Sequence, residues 1–145
     1  MKLRRFSLND YEELVDMYYE FAKEVYMERK IGMRYSFYKS VDSWINEDRD
    51  IIVAYNGSEL CGFTESYIDN NNGITEPVYM GEIAYTKPKY RKGRASYMLY
   101  NNVVEYAKQL DMTLVSFSRV ENGVDKMVNK HFSPVKTYQQ FELRR

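Results

Sequence analysis

Residues 87–100, with the sequence KPKYRKGRASYMLY, join a strand pattern to a helix pattern through a basic turn. The helix pattern runs from about Arg94 to Leu110, with apolar side chains at spacings of three and four. This apolar face consists of Ala95, Met98, Leu99, Val103, Tyr106, Ala107 and Leu110. The first N–H groups of a helix lack internal partners and lie at the positive end of its dipole. The turn therefore predicts a binding site for a phosphate or pyrophosphate.

The turn also supplies cationic side chains and a glycine. Arg91, Lys92 and Arg94 surround the predicted helix start, and Gly93 allows either a positive φ or a close approach to a ligand. A basic turn is equally compatible with a solvated loop or with a contact to nucleic acid. The order of the other elements is needed to separate these alternatives.

The remaining periodic segments predict strands and helices in the order β-α-α-β-β-β-α-β-α-β. Asn9 and Glu12 have the spacing of a helix capping box. Asn56 and Gly57 predict a tight hairpin turn. The predicted strands cover residues 2–6, 51–55, 60–68, 78–86, 113–118 and 138–143, and a short helix is predicted over 124–130. Three antiparallel strands therefore precede the basic turn.

Length and charge limit the class of protein. A chain of 145 residues is in the usual range of one domain, so residues 1–145 are expected to form a single domain. Lys plus Arg number 21 and Asp plus Glu number 21. This zero formal net charge argues against nucleic acid or an anionic membrane as a partner, because positive charge is local to the turn.

Cysteine and histidine are scarce in the chain. Cys61 is the only cysteine, so no intrachain disulfide is possible, and Cys61 with the single His131 does not form a zinc-site pattern. Cys61 lies in an apolar setting without an adjacent base, which is typical of a packed thiol. No apolar run has the length of a secretory signal or a membrane span. We therefore expect a soluble protein in the reducing cytoplasm.

The basic turn and the element order together resemble the GNAT superfamily of acetyl-coenzyme A-dependent N-acetyltransferases. The signature of that family is a strand, an RxxGxG/A turn and a helix over the coenzyme pyrophosphate. Aligned without a gap, Arg91 begins the motif, Arg94 replaces its first glycine and Ser96 replaces its last small residue. Aligned with one deletion, Gly93 and Ala95 supply the two small positions. The ungapped alignment is preferred because it keeps the apolar face of the helix in phase.

The resemblance implies an α/β (α+β) fold with a mixed, mostly antiparallel central sheet flanked by helices. It also implies transfer of an acetyl group from acetyl-coenzyme A to a primary amine, by direct attack in a ternary complex. The coenzyme would contact the backbone at the end of the 78–86 strand, the turn and helix start, and a later asparagine. These residues are Tyr85, Thr86, Arg91, Lys92, Gly93, Arg94, Ala95, Ser96 and Asn122.

The resemblance further suggests which residues carry protons. Glu82 lies on the strand before the turn, where the family often has a glutamate facing the acceptor, and is the first candidate for the general base. Glu65 on the neighbouring strand is the second candidate, or it shapes the amine pocket. The family's usual general acid is a tyrosine on the last helix, but the segment GVDKMVNKH after Asn122 contains none. His131 and Tyr138 are nearby substitutes, and thiolate departure also has the option of proceeding without a side-chain acid.

Two other functions remain open at this stage. The missing tyrosine and the altered glycine are compatible with a non-catalytic protein of this fold that binds coenzyme A or a protein partner. A small nucleic-acid-binding module would use the basic turn but leaves the strand order unexplained. For the enzyme, the acceptor is a small molecule, a polyamine or a protein amine, and an exposed C-terminal strand edge is compatible with a homodimer. The acidic residues that could attract a cationic amine, or form a solvated helix face, are Glu12, Glu13, Asp16, Glu20 and Glu24.

Overall fold

The computed structural model describes residues 1–25, 34–70 and 76–116, together with residues 130 and 132. In chain order, its strands and helices are β1 Lys2–Arg5, α1 Tyr11–Val25, α2 Arg34–Asn46, β2 Asp50–Asn56, β3 Glu59–Asp69, β4 Val78–Thr86, α3 Ala95–Gln109 and β5 Leu114–Ser116. This order confirms the predicted order from the first strand through β5. The predicted strand over 138–143, the predicted helix over 124–130 apart from residue 130, and Asn122, His131 and Tyr138 lie outside the described residues.

The five strands form one mixed sheet in the order β1-β2-β3-β4-β5. The first four strands pair antiparallel, whereas β5 pairs parallel to β4 after the α3 crossover. The turn between β2 and β3 has Gly57 at φ 62°, a left-handed conformation that glycine adopts without steric cost. The mixed, mostly antiparallel sheet and the hairpin are therefore as the sequence predicts.

The two faces of the sheet are covered by different helices. On one face, α1 and α2 pack their apolar residues against β2, β3 and β4, around the buried side chains of Leu14, Val41, Trp44, Phe63 and Tyr85. On the other face, α3 packs Ala95 and Leu99 against Ala54 and Cys61, and packs Val103 and Ala107 against Tyr79. Burial raises the pKa of the Cys61 thiol, in keeping with a packed side chain.

The start of α1 differs from the prediction. A short 3-10 helix, Leu8–Asp10, precedes α1, and the capping box lies at its start, at Ser7 and Asp10, two residues earlier than expected, where the Ser7 N–H donates to Asp10 Oδ2 at 3.0 Å. Asp10 is 6% exposed and also accepts a hydrogen bond from Arg4 Nη2 at 2.7 Å. The Arg4 hydrogen bond holds the pKa of Asp10 below its usual value. Because β1 supplies Arg4, the cap is fixed by a residue from the sheet as well as by local spacing.

Both α2 and α3 end with an aspartate in the left-handed conformation, Asp48 at φ 52° and Asp111 at φ 53°. After α2, the Asp48 N–H donates to Ile45 O and the Arg49 N–H donates to Trp44 O, at 3.1 and 3.0 Å. These two bonds have the spacing of a Schellman motif, in which glycine is usual and aspartate is tolerated. The motif fixes the backbone of Arg49 directly against the end of the helix.

Candidate active site

A β-bulge at Glu82 changes which helices the residues of β4 face. Ser66 of β3 pairs with Gly81, whereas the preceding Glu65 pairs with Ile83, so Glu82 is the extra residue. A Cβ on Gly81 would point toward Val103 of α3, but Ile83 packs into the core under α1 and α2. After the bulge, the odd-numbered residues of β4 therefore lie on the opposite face of the sheet. The bulge also directs Glu82 to the same face as Glu65.

The described pairing between β4 and β5 lies on the N-terminal side of the bulge. The registered pairs run from Tyr79↔Leu114 to Gly81↔Ser116. Three residues further along β4, Ala84 is exposed, although it pairs with Thr64 of a central strand. An exposed alanine at an interior position of the sheet indicates an opening beside this part of β4. Glu82 lies two residues before this position on the same strand.

Arg49 joins the two carboxylates that the sequence proposed as bases. Its Nη1 atom donates to Glu65 Oε1 at 2.6 Å and to Glu82 Oε2 at 3.2 Å. Its Nε atom donates to Glu47 Oε2 at 2.7 Å, and its guanidinium lies 4.0 Å from the ring centroid of Tyr67. We name Arg49, Glu65, Glu82, Glu47 and Tyr67 the Arg49 cluster. Glu65 and Glu82, 17 residues apart by their numbers, are therefore brought together as neighbours on one cation.

The two carboxylates have different surroundings. The Glu65 side chain is fully buried, and its Oε2 atom has no hydrogen-bond partner among the described residues. Burial raises the pKa of Glu65 to about 7, although Arg49 acts in the opposite direction. The Glu82 side chain is 42% exposed. The cluster thus pairs a carboxylate that can exchange a proton near neutral pH with a second one that solvent and a substrate can reach.

Other groups of the cluster respond to the same charges. Burial and a hydrogen bond to Glu82 raise the pKa of the Tyr67 phenol to about 12. Burial opposes protonation of Arg49, but the hydrogen bonds and charges of Glu65 and Glu47 outweigh it, and the net pKa of Arg49 is raised. Arg49 therefore stays charged, and three carboxylates share one cation.

The sequence did not identify Arg49 or Tyr67 as site residues. Arg49 belongs to a charged run at the end of α2, and such a run usually forms a solvated surface. Tyr67 is one of fifteen tyrosines and carries no distinguishing pattern. The available signal was the alternation of β3, which places Glu65 and Tyr67 on the same face as the buried Phe63.

The sequence predicts an anion site at the start of α3. The N-cap residue is Arg94, no side chain caps the helix, and the first intrahelical bond to this residue runs from the Met98 N–H to Arg94 O at 2.9 Å. Lys92, Gly93 and Arg94 are exposed around this helix end. The first N–H groups of α3 thus have no side-chain cap, and the residues present fit a coenzyme pyrophosphate.

Two roles were predicted for Gly93, a positive φ and a close approach to a ligand. It does not take a left-handed conformation; among the described glycines only Gly57 does. A Cβ added to Gly93 would approach the Tyr90 carbonyl oxygen at 3.4 Å. This distance is at the edge of ordinary van der Waals contact, and the other predicted use, a close approach to a ligand, stays a prediction.

The Arg91 guanidinium is already engaged by protein groups. Arg91 Nε donates to Thr86 O at 2.8 Å, and Nη2 donates to Glu24 Oε1 of α1 at 2.6 Å. The guanidinium also lies 5.6 Å from the ring centroid of Tyr85. Arg91 therefore joins the end of β4 to the end of α1, and a phosphate would have to compete with Glu24 for it.

Other predicted coenzyme contacts connect the end of β4 to α3. Ser96 Oγ donates to Thr86 Oγ1 at 2.8 Å, so its hydroxyl anchors the first turn of α3 to the strand. Ala95 is fully buried, and Tyr85 is 6% exposed and packs against Phe63. Burial raises the pKa of Tyr85. The side chains of Ala95 and Tyr85 thus belong to the core, and a contact of either residue with the coenzyme stays a prediction.

Most of the acidic residues of α1 are paired inside the protein. Glu13 accepts a bond from Lys87 at 3.0 Å, and Glu20 pairs with Lys23 at 3.1 Å. Glu12 accepts a bond from the Tyr38 hydroxyl at 2.5 Å, and Glu24 holds Arg91. This face of α1 consequently serves to connect α2 and the basic turn.

The part of the chain that the structure describes holds neither a metal cluster nor a membrane-spanning helix. No group of three or more His, Cys, Asp or Glu side chains in these residues is arranged to hold a metal ion. No helix in the described ranges is both long enough and apolar enough to cross a membrane.

Comparison with known protein families gives one match. The model of the acetyltransferase (GNAT) family matches residues 10–129. The match covers the basic turn and both members of the carboxylate pair. No curated protein sequence matches the chain at a significant level.

The fold is similar to that of solved acetyltransferases at low sequence identity. An aminoglycoside antibiotic 6'-N-acetyltransferase from Acinetobacter haemolyticus has a TM-score of 0.73 and 16% identity, covering 100% of this chain and 98% of that chain. A predicted acetyltransferase from Clostridium acetobutylicum, solved with acetyl-CoA, has a TM-score of 0.75 and 13% identity, covering 99% and 95%. An aminoglycoside acetyltransferase from an uncultured soil metagenomic sample, solved with sisomicin, has a TM-score of 0.73 and 11% identity, covering 99% and 94%. The architecture is therefore shared over nearly the whole length of each chain.

Proposed function

The chain belongs to the GNAT acetyltransferase family, and from this we propose that it transfers the acetyl group of acetyl-coenzyme A to a primary amine within a ternary complex. It is an acyltransferase, with acetyl-coenzyme A as its acetyl donor. The observation that carries the proposal is the position of the Arg49 cluster: its exposed carboxylate lies on β4, held by Arg49, two residues before the exposed Ala84.

The coenzyme is proposed to lie across the open side of β4 and the start of α3. When bound, it supplies an acetyl carbonyl activated as a thioester. The uncapped N–H groups at the start of α3 would bind its pyrophosphate, with Lys92 and Arg94 beside them. The backbone from Glu82 to Thr86 would pair with its pantetheine arm. The exposed Ala84 in this stretch supports that assignment, because it marks backbone that a ligand can reach.

Glu82 is proposed to accept the proton of the amine. In the acetyl-transfer step, the amine nitrogen gives one proton to the Glu82 carboxylate, a nitrogen–carbon bond forms, and the carbon–sulfur bond of the thioester breaks. The thiolate that leaves then takes up a proton from solvent. Glu82 is suited to this role because its side chain is 42% exposed and its Oε2 atom is fixed by Arg49. Glu65, which is fully buried, is the alternative proton acceptor.

The acceptor is proposed to be a small cationic amine. Glu47, Glu65 and Glu82 surround the single cation Arg49, so the cluster carries excess negative charge when its carboxylates are ionised. Such a site attracts an ammonium group and disfavours an anionic acceptor. Polyamines and aminoglycosides share this chemistry, and a protein amine would need a basic sequence around it.

The first experiment is a calorimetric titration with acetyl-coenzyme A, coenzyme A and ATP. We expect both coenzyme forms to bind more tightly than ATP, because ATP offers phosphates to α3 but no pantetheine arm to β4. Thiol release is then followed with a panel of cationic amines. Coenzyme binding without acetylation of any amine would contradict the proposed function.

The second experiment assigns the base. Glu82→Gln should lower kcat by about 10²- to 10⁴-fold, the usual contribution of general base catalysis, with unchanged affinity for the coenzyme. Glu59→Gln is the matched control, since Glu59 of β3 is a carboxylate with similar exposure that pairs with a different cation, Lys89. Equal rates for the two variants would remove Glu82 as the base.

A further inference from the structure

The position of Arg49 is fixed from several directions. The Schellman motif after α2 sets its backbone through the Arg49 N–H bond to Trp44 O. Glu47 holds its Nε atom, and the Tyr67 ring lies against its guanidinium plane. Its side chain is only 20% exposed. A guanidinium held in this way has little freedom to choose another partner.

One nitrogen of this guanidinium contacts both carboxylates. Arg49 Nη1 lies 2.6 Å from Glu65 Oε1 and 3.2 Å from Glu82 Oε2. Glu65 comes from β3, whereas Glu82 is the bulged residue of β4. Arg49 therefore connects the buried carboxylate to the one at the edge of the opening, across two strands.

Stability alone is a weak explanation for this arrangement. A buried ion pair often contributes no more to stability than apolar side chains of the same volume, because desolvation offsets the attraction. Here the cost is increased by Glu65 Oε2, which is buried and has no hydrogen-bond partner among the described residues. The cluster also places a charged residue in a bulge, where the pairing of the sheet is weakest. These are features of a site arranged for chemistry.

We propose that Arg49 is a positioning residue for acetyl transfer, which acts by holding the Glu82 carboxylate at the opening beside β4 so that it meets the acceptor amine. Glu65 fixes Arg49 from the buried side, and Glu47 fixes it from the exposed side. This inference rests on the proposed function, in which Glu82 accepts the amine proton. It adds to the reaction a residue that touches neither the amine nor the coenzyme.

The test is a double-mutant cycle in a background that keeps the fold. Removing Arg49 alone would leave the buried Glu65 carboxylate unpaired, so the cycle is built on Glu65→Gln, which is uncharged. In this background, Arg49→Met should lower kcat by about 10- to 100-fold, the scale of a misplaced catalytic group, with the KM for the coenzyme unchanged. When Glu82→Gln is also present, Arg49→Met should lower kcat by no more than about twofold, since its partner is already lost.

A control variant separates positioning from general destabilisation. Arg4→Met in the same background removes an arginine that pairs with the buried Asp10 at the start of α1, away from the cluster. It should lower the free energy of unfolding but leave kcat and its dependence on Glu82 unchanged. The inference is overturned if Arg49→Met and Arg4→Met have the same effect on kcat. It is also overturned if Arg49→Met lowers kcat by the same factor in the presence of Glu82→Gln as in its absence.

Two further outcomes also decide the question. Loss of all activity in Glu65→Gln would overturn the inference, because Glu65 and not Glu82 would then be the proton acceptor. If Arg49→Met does not fold, Arg49→Lys in the unmodified chain replaces it, and a kcat equal to that of the parent protein would be contrary to the inference. If the parent protein acetylates no amine at all, the proposed function itself fails, which is a result distinct from every arm of the cycle.

Discussion

Two arginine–carboxylate contacts of the same length have different surroundings. Arg91 Nη2 lies 2.6 Å from Glu24 Oε1, and Arg49 Nη1 lies 2.6 Å from Glu65 Oε1. The Arg91 pair is 35% and 40% exposed, whereas the Arg49 pair is 20% and 0% exposed. Burial, and not distance, therefore separates a contact that can exchange partners from one that cannot.

The exposed pair is suited to a binding site for an anion. A surface ion pair contributes about 0–1 kcal/mol and is screened by salt, so Arg91 can leave Glu24 for a phosphate at small cost. The buried pair is suited to proton chemistry. Its low-dielectric surroundings raise the pKa of Glu65 to about 7, and an unpaired charge there is strongly destabilising.

The largest expected effect is on stability when each pair loses its arginine. Arg49→Met should lower the free energy of unfolding by about 3–5 kcal/mol at pH 8, because it leaves the Glu65 charge buried without a partner. Arg91→Met should lower it by about 1 kcal/mol or less. Urea denaturation of both variants measures the two values. Similar losses of unfolding free energy in the two variants would contradict the difference between the buried and the exposed ion pair.

The second expected effect is a pH dependence of stability from Glu65. The pKa of Glu65 is about 7 in the folded protein, against 4.5 for an ordinary glutamate, which is the value expected in the unfolded chain. Because the folded state holds the proton more tightly, Glu65 contributes stability below pH 4.5 that is lost as the pH rises through 7. The difference in unfolding free energy between the parent protein and Glu65→Gln should therefore shift against the parent by roughly 3 kcal/mol between pH 4.5 and pH 8. A difference that is flat with pH would contradict the buried, perturbed carboxyl.

The third expected effect concerns the exposed side. Lys92→Ala with Arg94→Ala should weaken coenzyme affinity by about tenfold, since both cations lie beside the open N-terminus of α3. The loss should shrink as salt is raised. Lys108→Ala is the control, because Lys108 is a basic residue in the last turn of the same helix. Calorimetry that finds equal affinities for the control and the double variant would remove the turn as the phosphate site.

The smallest expected effect has the opposite sign. Glu24→Gln frees Arg91 from its carboxylate partner, and it should strengthen coenzyme binding by about two- to threefold at low salt. Coenzyme A titrations at low and high salt measure it. Weaker binding in this variant would mean that Glu24 orients Arg91 for the phosphate instead of competing with it.

The sequence predicted the parts of this architecture that depend on local patterns. The predicted bounds of the strand over 78–86 agree with β4, and the helix predicted from about Arg94 begins at Ala95. Gly57 marks the hairpin turn as expected. Alternation and helical periodicity are properties of neighbouring residues, so a single chain reveals them.

The Arg49 cluster could not be predicted in the same way. It needs the bulge at Glu82, which is defined by the pairing of β4 with β3 and leaves no mark in the residues of β4 alone. It also needs Arg49 to be held against the sheet by a Schellman motif in which aspartate, at Asp48, replaces the expected glycine. The capping box was misplaced for a related reason, since Asp10 is fixed partly by Arg4 from β1. In each case, a contact between residues that are distant in sequence selects one of the conformations that the local sequence allows.

The bulge at Glu82 also breaks the parity of β4. Odd-numbered Tyr79 and Gly81 face α3, whereas odd-numbered Ile83 and Tyr85 face α1 and α2. Deleting Glu82 would therefore join Gly81 directly to Ile83 and restore regular alternation, so Ile83 and Tyr85 would stay on the face of α1 and α2 while the bulge and its carboxylate were lost. A related chain without the bulge would align to this one with a one-residue gap at Glu82, and a gap placed elsewhere in β4 would assign the side chains between that point and Glu82 to the wrong side of the sheet.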